Sequence, residues 1–61
     1  MGLITTPNLP DPDGTYAALL TAHKGLSMAE SQALNARLIL ILANHIGDQM
    51  VLAQAIALAA S

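Results

Sequence analysis

Five large aliphatic side chains stand in a row from Leu38 to Leu42, and this run narrows the choice of fold more than any other feature. A strand needs turn-forming residues close on both sides, and none precede the run. A membrane-spanning helix needs about 20 predominantly apolar residues. The polar group Asn44, His45, Asp48 and Gln49 interrupts well before that length is reached. What remains is a helix. The run lies deep inside a segment, Met28 to Ile46, rich in Ala, Leu, Gln, Glu and Arg, which are good helix formers. Ser27 and Glu30 precede it at the spacing of a capping box, and Gly47 supplies the stop. A helix so apolar is expected to be buried on nearly every side.

Two more helices flank it. In "DPDG", Asp11 is the N-cap, Pro12 fits the first helical position, and Asp13 adds a carboxylate at the positive helix end. Tyr16, Leu19, Leu20 and His23 then fall on one helical face, and "HKGL" closes the helix with Gly25 left-handed and Leu26 packing beyond it. Asp48 is placed to cap a third helix, "QMVLAQAIALAA". The expectation is an all-α chain, a three-helix hairpin or bundle over about 12–24, 28–46 and 49–60. An extended arm, residues 1–10, precedes the single small helical domain, 11–61. Pro7 and Pro10 hold the arm out of regular helix, while Leu3, Ile4 and Leu9 make it apolar enough to lie on another surface.

The helices carry more apolar surface than three of them can hide. On the second helix, Glu30, Arg37 and Asn44 fall within an arc of about 40°, which is expected to be its water-facing stripe. Leu34, Leu38, Ile39, Ile41, Leu42 and Ile46 fill a wide arc on one side. Leu40 lies elsewhere, near Ala29, Ala33, Ala36 and Ala43, a surface that another helix can approach closely. On the third helix, ten of the eleven residues from Met50 to Ala60 are apolar, and Gln54 is the exception. A helix apolar all round needs walls on every side, and two other short helices cannot supply them.

Composition excludes most other remedies. A chain of 61 residues is marginally stable by itself, and disulfides, a metal or association are the usual supplements. There is no cysteine, so disulfides and thiolate metal sites are excluded, and the two histidines alone cannot close a tetrahedral site. Charged residues make up 10% of the chain against 54% hydrophobic, far below the about 25% of ordinary soluble domains. A net charge of -2 with two basic residues argues against nucleic acid and against an anionic membrane surface. The N-terminus "MGLITTPNLPDPDG" lacks the basic start and apolar core of a signal peptide, so a cytoplasmic location is expected. Self-association is the natural supplement. The expected form is a homodimer with the second and third helices pairing across a two-fold axis, through Leu38, Leu40, Leu42, Val51, Leu52, Ile56 and Leu58.

Polar residues capable of chemistry are few. His45 and Asp48 stand three apart, as in a carboxylate-oriented imidazole that serves as a base or as half of a metal site. The plainer reading has Asp48 capping the third helix and His45 packing between Leu34 and Leu38. Tyr16, His23 and His45 converge if the first two helices form an antiparallel hairpin. That gives either a ligand pocket or a hydrogen-bond network that fixes register. Asn35 lies on the apolar arc, where an amide contact between chains specifies pairing. Arg37 is either solvated or paired with Glu30, Asp48 or a partner's carboxylate. With Asn44, these make a candidate polar cluster of Tyr16, His23, Asn35, Arg37, Asn44, His45 and Asp48. No nucleophile elbow, phosphate loop or paired carboxylates point to catalysis, and no cofactor is expected.

The runs "LITTPNLPDPDGTYAALLTAHKGLS" and "LNARLILILANHIGD" resemble a family of short bacterial proteins, the domain of unknown function 2783. The most specific part, Leu34 to Asp48, maps the family's motif onto Asn35, Arg37, Asn44, His45, Gly47 and Asp48. The resemblance implies an accessory role beside FAD-dependent, aromatic-type monooxygenases and oxidoreductases, next to whose genes such proteins tend to be encoded. Two readings result. One is a non-catalytic helical interaction protein that self-associates, with a flavin-dependent oxidoreductase as a further partner. The other is a small-molecule or metal binder, or an enzyme, using the polar cluster.

Overall fold

The computed structural model describes residues 2–61, so the part of the expected arm at Met1 lies outside the described residues. Three helices follow one another: α1, Pro12–His23; α2, Met28–Ile46; and α3, Gln49–Ala60. Each boundary has a local cause. At α1 the Asp11 carboxylate accepts from the Gly14 N–H at 3.0 Å, with Pro12 in the first turn. Lys24, expected as the last residue of the helix, is its C-cap instead. The Ser27–Glu30 capping box is complete. The Ser27 N–H donates to Glu30 Oε1 at 2.9 Å, and the Glu30 N–H donates to Ser27 Oγ at 3.2 Å. Gly25 and Gly47 end their helices at φ 75° and 64°, left-handed values that favour glycine because a Cβ clashes there. At α3 a single Asp48 oxygen accepts from the Met50 and Val51 N–H groups at 3.0 and 3.1 Å.

The capping box gives α2 a pH dependence. The Glu30 carboxyl is held below its ordinary 4.5, first by the Ser27 backbone N–H and then by the Ser27 hydroxyl, with slight desolvation opposing. A carboxylate depressed on folding stabilises the fold above its unfolded value, and that contribution is lost as pH falls through the lower folded value. Helicity measured by circular dichroism is therefore expected to decline on acidification below 4.5. Glu30→Gln, which keeps an acceptor but carries no charge, is expected to lack that component.

The arm crosses to the far end of the sequence. The Leu3 N–H donates to Gln54 Oε1 at 3.0 Å, and Leu3 is half-buried. Gln54, the lone polar side chain within the apolar stretch of α3, thereby holds the arm against that helix.

What the helices do not form is a closed core. No described residue is buried. The half-buried apolar side chains are Leu3, Leu34, Leu38, Ala43, Val51, Leu52 and Ala55. Ile39, Leu40, Ile41 and Leu42 remain 50 to 70% exposed, so the chain alone does not bury the aliphatic run as its composition led one to expect. Nor is the Glu30–Arg37–Asn44 stripe the only wet face of α2. The helices meet only sparsely, and α3 meets α2 about the Gly47–Asp48 turn, where Ala43 and Leu52 line one depression. The radius of gyration is 13.2 Å, against about 10.5 Å for a compact domain of this length. The accessible surface is 5241 Å², roughly 1,500 Å² above that of a compact monomer of equal mass. Among the described residues, no helix is long and apolar enough to cross a membrane.

Candidate functional site

The best-defined polar feature is a clamp between α1 and α2. His23, in the last turn of α1, lies 2.9 Å from Ser31 Oγ through Nδ1 and 3.1 Å from Asn35 Oδ1 through Nε2. An amide oxygen only accepts, so Nε2 carries the hydrogen and donates to Asn35. Nδ1 then accepts from the Ser31 hydroxyl. Ser31 and Asn35 stand four apart on α2 and so share a face, and the short Gly25–Leu26 turn returns the chain so that one imidazole spans both. Each ring nitrogen is occupied, so the clamp is a fastening, and a metal or a transferred proton at His23 would have to break it. The Asn35 amide NH₂ has no partner among the described residues.

The other candidate residues do not join this clamp. Tyr16 is 65% exposed on α1, and His45 is exposed near the end of α2; His45 does not pack between Leu34 and Leu38 as expected. Asn44 and Asp48 line one open depression of about 310 Å³ at the α2–α3 turn, with Ala43, Gly47, Gln49 and Leu52. The Asp48 oxygen that caps α3 is already committed there. Arg37 borders a separate, apolar groove of about 440 Å³ between α1 and α2, lined by Leu19, Ala22, Leu34, Leu38 and Ile41. Among the described residues, no three His, Asp or Glu side chains gather in a way that would hold a metal ion. Ser31 was missed from sequence because a lone serine inside a helix carries no signal of its partner.

The apolar residues sort clearly. Of those expected at an interface, Leu38, Val51 and Leu52 are half-buried within the chain. Leu40, Leu42, Ile56 and Leu58 are exposed. Met28, Ile39, Ile46 and Met50, outside the set expected at an interface, are exposed as well. The signal for those on α2 was available in their spacing, which places Met28, Ile39 and Ile46 together on the helix.

A family model described as "Protein of unknown function (DUF2783)" matches residues 3–61. Neither the curated proteins nor the solved structures give a match.

Proposed function

We propose that this chain, which belongs to the DUF2783 family, is a non-catalytic helical interaction protein whose missing core is supplied by self-association. The observation that carries the reading is the combination of three well-capped helices with no buried residue. Capping and propensity alone hold short helices only marginally in water. Most helical stability comes from burying an apolar face, and here that face needs a partner. If two chains each cover their excess surface of roughly 1,500 Å², the interface totals about 3,000 Å², within the range of obligate dimers.

Two further parts belong to this reading. A cytoplasmic location suits a cysteine-free chain, which has no disulfide to depend on an oxidising compartment. Partnership with a flavin-dependent oxidoreductase is supported by the family resemblance and by Met50, Ile56 and Leu58, exposed on α3. A purified FAD-dependent oxidoreductase of the aromatic-hydroxylating type should then retain the chain on a sizing column; separate elution removes that partnership and leaves self-association standing.

Self-association makes stability depend on concentration. The thermal midpoint is expected to rise with protein concentration, by several degrees over a 100-fold range, measured by circular dichroism at 222 nm. A midpoint independent of concentration would contradict the reading.

A further inference from the structure

The geometry points to one face of α2 as a parallel, coiled-coil-like seam between two copies of this chain. The inference rests on the self-association just proposed and specifies where and how it occurs. Met28, Gln32, Asn35, Ile39, Leu42 and Ile46 follow one another at alternating spacings of four and three residues, the pattern that keeps a seam facing a neighbouring helix. All six are exposed. The half-buried residues Ser31, Leu34 and Leu38 instead turn towards α1.

The occupant follows from charge, area and order. The seam itself carries no charged side chain: Glu30 and Arg37 fall on the opposite side of the helix, and His45 stands on the flank beside Leu42. A two-fold axis sets the same patch of each chain against the other, so a charge-free face can meet itself without repulsion. It also offers no charge pattern to select a different protein. The unmatched surface on each chain is of the size that an obligate dimer buries.

Orientation follows from where the polar positions lie. Gln32 and Asn35 occupy the first half of the seam, and Ile39, Leu42 and Ile46 the second. Parallel helices set amide against amide and aliphatic against aliphatic. Antiparallel helices in full overlap set Gln32 against Leu42 and Asn35 against Ile39, leaving polar groups facing apolar ones. Ile at the two positions flanking Leu42 is the arrangement that favours two parallel strands. The His23 clamp contributes as well. It occupies the Asn35 oxygen and leaves the NH₂ free to reach across the seam.

The chain has no native cysteine, so single-cysteine variants report the seam directly. Gln32→Cys and Leu42→Cys, oxidised with diamide at matched concentration, are each expected to form covalent dimers at least ~10-fold faster than Arg37→Cys on the opposite side of α2, since a disulfide needs Cα atoms within about 7 Å. Circular dichroism and light scattering of each reduced variant confirm that it is folded and associated. If an associated Gln32→Cys crosslinks only when mixed with Leu42→Cys, the parallel seam is overturned. If Arg37→Cys crosslinks as fast as the other two, the face is wrong. Either result leaves self-association intact, whereas a monomeric unsubstituted chain removes both.

Discussion

Replacing Ile39 with Glu is expected to dissociate the assembly and to lower, not raise, the helix content of the chain. The sign distinguishes a covered face from a bare one. In the isolated chain Ile39 is 60% exposed, and Glu is at least as good a helix former as Ile. A surface substitution of this kind ordinarily changes stability by no more than about 0.5 kcal/mol. In the seam the same change sets two carboxylates side by side in an apolar interface. At a cost of roughly 3 kcal/mol for each, the dissociation constant rises by about 10⁴-fold. Because α2 draws its stability from the covered face, the dissociated chain is expected to lose helicity as well. Light scattering and circular dichroism on one sample read both effects. A variant that keeps its mass and its helicity would show that this face is bare in solution.

The second large effect is expected at His23. Replacing it with Ala removes both hydrogen bonds that fasten α1 to α2, each with a net worth of about 1 kcal/mol. It also leaves Ser31 and Asn35 to water. No buried apolar residue between the two helices compensates. The loss is therefore expected to be local: α1 detaches while α2 and α3 keep their order. Amide hydrogen exchange should show it. Protection in Pro12–His23 is expected to fall by about 30-fold, the equivalent of about 2 kcal/mol, with a smaller change across α2. Unaltered protection in α1 would mean that another contact holds the helix.

How far the sequence alone reaches can be read from these residues. Helix ends were legible because their causes lie within four residues: the Ser27–Glu30 box, the Asp11 and Asp48 caps, and the left-handed Gly25 and Gly47. The single slip, Lys24 as cap instead of last residue, is the ordinary uncertainty of a fraying turn. The partners of His23 were not legible. Its place on an inner face followed from helical spacing, but which α2 residues it meets depends on how tightly Gly25 and Leu26 turn. The arm's attachment to Gln54 was hidden for the same reason, with most of the chain lying between them. The aliphatic run shows a different limit. Periodicity says that Leu38 to Leu42 require cover, yet it does not say that the chain itself covers only Leu38, and that only in part. For the polar candidates, spacing alone left Tyr16, His23 and His45 free to converge; the structure joins His23 to Ser31 and Asn35 and leaves the other two apart.

The central claim is that a second chain completes this fold, and the most direct test is solution mass by light scattering across a dilution series, with helicity recorded alongside. The account predicts twice the 6.3 kDa chain mass at high concentration, with mass and helicity falling together on dilution. A fully helical species that stays at 6.3 kDa at every concentration would contradict it.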